Sequence, residues 1–557
     1  MKSIPSLVPS SKNNSRLPFE GGEAIYTRYR ATYPQDPLLR IGDIIDFGPI
    51  EASCANYHVR KSGHGITHSV PKLCRILFLK YWYGLSLRET EQWINGSIVG
   101  KMFCGYRIEE MCADHTIIGR FEQWVEANTG RFYFDEILRQ IDKRHSREKN
   151  KIQKGDTFGV EANAARESLV RLIRHSSEKL LRAWGDEKGL KYKEEVLPQV
   201  NVIELFGPEK EKNYFHMTGE EREAQLTNCI KGALACLALS TGGKSADVVA
   251  WQERVNKILD DEVKISRNEA GEVTEVKKKS KKERGSYCIG SATDPDATYR
   301  VHDGDTTFGY NGSVLTDGEF VREIRADTGA TADATPIPQM LKDQAKHHGL
   351  EPDILVYDKA AGGGKTVFLV AQATDRKTRL VAPMRNYDCR SERFTPRDFT
   401  LSDDGKTLTC PNGKETRTAY LSGSGEGLNY RFKKEQCREC PLWNKCRKSD
   451  KNTMKQVFIS DYRTAEAKAR AYEKTDSFKK QMRSRAHVER VIACLVMYCG
   501  ARRMKRRGLK AADFQLKMSG MVFNVKRMLR KEALAKKAAK NVPAQKIEAA
   551  LPRVDCV

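Results

Sequence analysis

Residues 481–508, QMRSRAHVERVIACLVMYCGARRMKRRG, constrain this chain more than any other stretch. By period they read as one helix, with Arg485 and Glu489 four residues apart on a shared face. Val488, Val491, Ile492, Leu495 and Val496 recur at helical spacing, so most of the helix belongs to a core. A carboxylate held against such a core costs free energy unless a cation or a metal meets it. The helix runs into Arg502, Arg503, Lys505, Arg506 and Arg507, a block suited to DNA phosphates. An acid beside a phosphate-binding surface is what metal-dependent phosphoryl chemistry requires. Taken alone, the pattern also fits an Arg–Glu pair on a solvated face, so the rest of the chain has to decide.

The 557 residues exceed what one core organises, and two to four domains are expected. With 97 Lys and Arg against 73 Asp and Glu, the net charge of +24 implies a polyanionic partner, nucleic acid ahead of an acidic membrane. No run of about 20 apolar residues is long enough to span a bilayer. The first residues lack a signal-peptide apolar segment, so a cytoplasmic, nucleoid-associated protein is expected. In a reducing compartment its 15 cysteines are buried thiols or metal ligands rather than disulfides.

Residues 1–28 are rich in Ser, Asn and Pro and read as a disordered tail. Residues 29–145 carry helical patterns, including 71–83 and 85–94, the latter with Ser86 and Glu89 in capping-box spacing. A third helix starts near Asp114 or Thr116. These short helices are compatible with a DNA-binding helix-turn-helix. Residues 146–365 read as mixed α/β: a strand ending near Asp156, a helical insertion over 165–285, a hairpin around Thr316-Asp317-Gly318, a helix at 337–347 and a strand ending at Asp358. Acids at strand ends are where open sheets place their sites. The run Lys277, Lys278, Lys279, Lys281, Lys282 and Arg284 is preferred as a solvated linker, with a DNA-phosphate contact as the alternative. Residues 366–455 are polar, turn-rich and short-stranded. Their Cys410, Cys437, Cys440 and Cys446 form a thiolate set suited to tetrahedral zinc, with a small thiol-lined core or an iron–sulfur site as alternatives. Residues 456–530 are helical again, and 531–557 form a basic, frayed tail.

In this order the phrases resemble bacterial insertion-sequence transposases of the DDE class, and more narrowly the group with a Tyr-x2-Arg-x3-Glu-x6-Lys signature around the third acid. YWYGLSLRETEQWI and ADHTIIGRFEQWV are similar to that group's helical domain. SATDPDATYR, FGYNGSVLTDGEFV and TGATAD match its centre, and DILVYDKAAGGGKT looks like its second-acid strand. KTLTCPNGK and CRECPLWNKC look like its cysteine-rich insertion, and Arg485, Glu489 and GARRMKRRGL like the signature helix. Met482 stands in place of the signature Tyr and Val496 in place of its Lys, which leaves Arg485, Arg502 and Arg503 as the candidates for phosphate contact.

The resemblance implies an RNase H-like catalytic fold in which Asp156, Asp358 and Glu489 converge on two Mg2+ ions. It implies cleavage and strand transfer on DNA, terminal inverted repeats and target DNA as partners, and a homodimer in synapsis. Mg2+ takes hard oxygen ligands, which suits these acids. Asp156 is preferred as first acid over Asp294 or Asp296, whose Asp-Pro context orders a turn. Asp333 reads as a helix cap and His487 as packing. Gly362-Gly363-Gly364-Lys365-Thr366 is not a P-loop, because Lys359 stands where the first glycine belongs. The alternative is a catalytically impaired, transposase-derived DNA-binding protein; an RNA-processing nuclease is disfavoured because no RNA-binding module is visible.

Overall fold

A computed structural model describes residues 21–58, 68–145, 151–385, 393–446 and 453–539, apart from positions 270, 272, 281, 286 and 303. Helix begins at Gly21, so part of the segment expected to be a disordered tail is ordered. Val70–Tyr83 (α1) is buried along most of its length and stops at Gly84, whose φ of 67° closes the helix. Leu87–Gly96 (α2) carries the expected capping box, and Asp114 caps His115–Thr129 (α3) by accepting the Thr116 and Ile117 amides. Phe132–Arg144 (α4) completes the helical region.

Five strands set the main sheet in the order β6-β5-β1-β7-β8: Ile152–Glu161 (β1), Asp305–Thr316 (β5), Val321–Thr328 (β6), Ile354–Val356 (β7) and Arg379–Val381 (β8). Thr298–His302 (β4) pairs with the start of β5, along the edge that β6 occupies further on. Strands β1, β5 and β6 are antiparallel, whereas β7 and β8 run parallel to β1. The expected β5–β6 hairpin forms, with Asp317 Oδ1 accepting the Glu319 and Phe320 amides. Between β7 and β8 lies Gly364–Ala373 (α9), following Ile337–His348 (α8) before β7. Residues 366–381 were expected to open the cysteine-rich insertion, yet they belong to the main sheet and its β7–β8 crossover, which needs a helix.

Between β1 and β4, Leu169–Lys188 (α5), Gly219–Leu239 (α6) and Ala246–Glu262 (α7) form a helical insertion with its own core around Leu180, Ile230 and Val255. The basic run expected to be a linker begins as a strand: Val263–Arg267 (β2) pairs with Val273–Lys278 (β3), and Lys277 is matched by Glu275 at 2.5 Å. Two small three-stranded sheets lie within 400–460, with Cys410 in a turn of the first and Cys437, Cys440 and Cys446 on the short helical segment between two strands of the second.

The C-terminal part differs from the single helix expected over 481–508. It splits into Asp476–Arg483 (α11), Ala486–Tyr498 (α12) and an irregular segment, after Arg463–Glu473 (α10). Gly500 at φ 76° and Gly508 at φ 91° turn the chain where a helix would otherwise continue. Between them, the Arg502 carbonyl accepts the Glu161 amide and Met504 N donates to the Glu161 carbonyl, so this segment extends the end of β1. Leu509–Ala539 (α13) then runs on into the segment expected to be frayed.

One face of the sheet shares a core with the helical region, α12 and α13: Phe158, Val160, Tyr310, Val314 and Ile324 lie in the same cluster as Leu77, Phe134, Leu495 and Val522. The other face packs Leu315, Leu355 and Tyr357 against Ile337, Leu341 and Val370.

Candidate active site

Asp156 lies on β1 opposite Val314, on the sheet face toward α12. The parallel pairing of Lys154 with Val356, carried forward two residues, sets Asp156 beside Asp358 on that face. Asp358 follows the end of β7 and caps a short turn, its Oδ1 accepting the Ala360 amide at 3.0 Å. Between them in register, Gly155 leaves room for the Tyr357 ring on the opposite face, where a Cβ would meet Cε2 at 2.3 Å. Burial disfavours the ionised form of Asp156 and raises its pKa; the Thr157 amide and Arg485 oppose this, while Asp358 and Asp333 add to it.

Glu489 sits in the first turn of α12, four residues after Arg485. Val488, Val491, Cys494 and Leu495 bury the inner side of the helix, but Glu489 itself is 59% exposed rather than held against that core. Arg485 links the acids: its guanidinium reaches Asp156 Oδ2 at 2.6 Å and Glu489 Oε1 at 2.8 Å. Its Nε is buried with no hydrogen-bond partner among the described residues. No sequence signal announces this 329-residue contact; only the fold brings the two together. Among the described residues, no three His, Cys, Asp or Glu side chains stand close enough to hold a metal ion as they are.

The neighbouring candidates take other places. Asp294 accepts the Tyr310 hydroxyl at 2.7 Å and the Gly508 amide, and Asp296 accepts the Leu509 amide, so DPDA seats the start of α13. Asp333 is not the cap of α8: its Oδ1 accepts Asn311 Nδ2 at 3.0 Å, with Arg300 3.8 Å away. His487, expected to pack, is exposed because it points away from the buried side of α12. Lys365 pairs with Glu426 and holds α9 to the cysteine-containing unit.

The basic block divides. Arg502 and Arg503 flank Glu161 with side chains 70% and 76% exposed. Lys505 donates to the Leu85 carbonyl at 2.8 Å and to that of Gly84, Arg506 pairs with Glu126 of α3, and Arg507 Nε donates to the Asn163 carbonyl. These three therefore anchor the chain internally. Met482 packs with Val356, Val381 and Phe478, and Val496 lies against the large core. Cys437 is buried in a small core with Phe399, Tyr430 and Phe432, against which Cys410 and Cys446 pack. Burial raises the Cys437 and Cys446 thiols, and the neighbouring thiols, Cys440 and Cys410 among them, raise both further.

No helix among the described residues is long and apolar enough to cross a membrane. Comparison with curated proteins and with solved structures finds no match. Two family models do match, at opposite ends of the chain. A transposase domain (DUF772) covers residues 27–124, and a transposase DDE domain covers residues 409–529, which include the four cysteines, Arg485 and Glu489. Together they identify the chain as an insertion-sequence transposase of the DDE family.

Proposed function

We propose that the protein binds the terminal repeats of its element, cleaves DNA beside them and joins the freed ends to target DNA, with Asp156, Asp358 and Glu489 as the reacting centre. The observation that carries this reading is the register of β1 and β7, which sets two acids side by side on the face that α12 covers with a third. The sheet order, three antiparallel strands followed by two parallel ones, is that expected of an RNase H-like core.

The donors are carboxylate oxygens, a set that fits a hard divalent ion such as Mg2+. Such an ion would lower the pKa of a bound water and neutralise charge at the phosphorus. Asp156, Asp358 and Glu489 would hold it. Arg502 and Arg503 supply exposed positive charge for the DNA backbone at the end of β1, where Glu161 sets their direction. The four cysteines support a second, structural metal, zinc, since two or more thiolates in one small core suit that ion. A homodimer is the form expected when two DNA ends are held together.

Asp156→Asn, Asp358→Asn and Glu489→Gln should each abolish metal-dependent nicking and strand transfer on a DNA carrying the element's ends, while band-shift affinity for that DNA stays within a few-fold. Full nicking by any of the three would remove that residue from the centre. The catalytically impaired DNA-binding protein is favoured by one observation: among the described residues, no three acids stand within common reach of one ion. Under that reading the unsubstituted protein binds the ends and never nicks them.

A further inference from the structure

Arg485 is placed unlike a residue that only waits for DNA. It leaves the junction between α11 and α12 and spends both terminal nitrogens on two different acids, Asp156 at 2.6 Å and Glu489 at 2.8 Å. It is therefore the one shown link between the sheet acid and the helix acid, spanning β1 and α12. One of those acids is largely shielded and the other mostly exposed. An ion pair with a solvent-accessible side is weakly held and competes poorly with a multivalent ion. The guanidinium nitrogen left over, Nε, is buried with no hydrogen-bond partner among the described residues, so the seat does not satisfy the side chain fully.

We propose that Arg485 is a positioning residue that holds the place of the divalent ion: it keeps Asp156 and Glu489 aligned before the ion arrives, gives up both carboxylates when the ion binds, and turns to a DNA phosphate. This rests on the proposed metal-binding role of the three acids. A planar guanidinium is suited to the exchange, because its parallel N–H pair matches a phosphate as well as a carboxylate. No bond is made or broken; one cation replaces another on the same oxygens, and the released positive charge offsets phosphate charge arriving with DNA. The exchange would also make ion binding and DNA binding mutually favourable, since DNA gives the displaced side chain somewhere to go.

The test is Mn2+ binding to the full chain, followed by calorimetry and by electron paramagnetic resonance of the free ion, for the unsubstituted protein, Arg485→Gln, Arg485→Lys and Glu489→Gln. Arg485→Gln should bind Mn2+ about tenfold more tightly than the unsubstituted protein, a change of about 1.4 kcal/mol. Arg485→Lys, which keeps the charge, should stay within about threefold, and adding end DNA should tighten Mn2+ binding to the unsubstituted protein more than to Arg485→Gln. Equal or weaker binding by Arg485→Gln, or no difference in the DNA effect, overturns the place-holder role while leaving the metal site standing. If the unsubstituted protein and Arg485→Gln both fail to bind Mn2+ with and without DNA, or Glu489→Gln binds as well as the unsubstituted protein, the metal reading of these acids fails and the inference falls with it.

Discussion

Asp135 on α4 is approached from its own helix and from α8. Arg131 lies 2.6 Å away, His348 3.1 Å and His347 3.6 Å. Burial alone would raise its carboxyl, but His348 and Arg131 outweigh it and hold the pKa down at about 2, against an ordinary 3.8. A depressed acid stabilises the fold above its unfolded pKa and loses that contribution as pH falls through the folded value. The stabilisation, about 2 kcal/mol, should thus be present at pH 7 and disappear between about pH 4 and pH 2. Asp135→Asn should lower stability by that order at pH 7 and flatten the dependence in that window, as read by urea unfolding at several pH values. Gly362 offers a steric counterpart: a Cβ there would stand 1.9 Å from the Pro383 carbonyl oxygen. Backbone cannot yield as a side-chain tip can, so Gly362→Ala should cost about 1–3 kcal/mol by displacing the turn after Asp358 from the exit of β8. Asp358 follows the apolar strand that announced it, whereas Asp156, expected near the end of its strand, lies mid-strand because β1 stays paired with β5 as far as Glu161. The bond from Arg485 to Asp156 was not legible, since nothing local marks a pairing across 329 positions.

At the scale of elements, the parts with strong short-range signals were the readable ones. The β5–β6 hairpin follows from strand-period alternation around an Asp-Gly turn, and α2 from its capping box. The break inside 481–508 is different: apolar spacing persists from Met482 to Val496 while the backbone turns at Ser484 and Arg485, so periodicity alone could not separate α11 from α12. The break has a use, because it puts Arg485 on a junction rather than mid-helix. The cysteine-containing unit is small, with few buried apolar side chains beyond Phe399, Tyr430 and Phe432. A core of that size gains disproportionately from a bound ion. Elemental analysis should find about one zinc per chain, and Cys437→Ser should abolish it and open residues 393–460 to protease. Zinc-free protein with an intact, protease-resistant unit would mean that thiol packing alone suffices.

Across the whole molecule, charge ties the ends of the chain together. Lys505 and Arg506 grip the end of α1 and α3, and loss of water around the Lys505 amine, with Lys80 beside it, lowers it to about 8. Glu323 on β6 receives Arg131, the residue before α4, at 2.9 Å and Lys517 from α13. A Lys505→Gln/Arg506→Gln pair should loosen the helical region from the sheet, seen as faster release of that region in limited proteolysis, with little change in the melting of the cysteine-containing unit.

Helix α13 has one more consequence. Its Leu516, Val522 and Met528 fill the same interior as Leu38, Leu77 and Phe134, so the helices of residues 70–144 wait for residues 509–529 before their apolar surface is covered. A chain cut short before residue 509 would leave the apolar faces of α1 and α4 uncovered, and should be prone to chaperone capture and degradation.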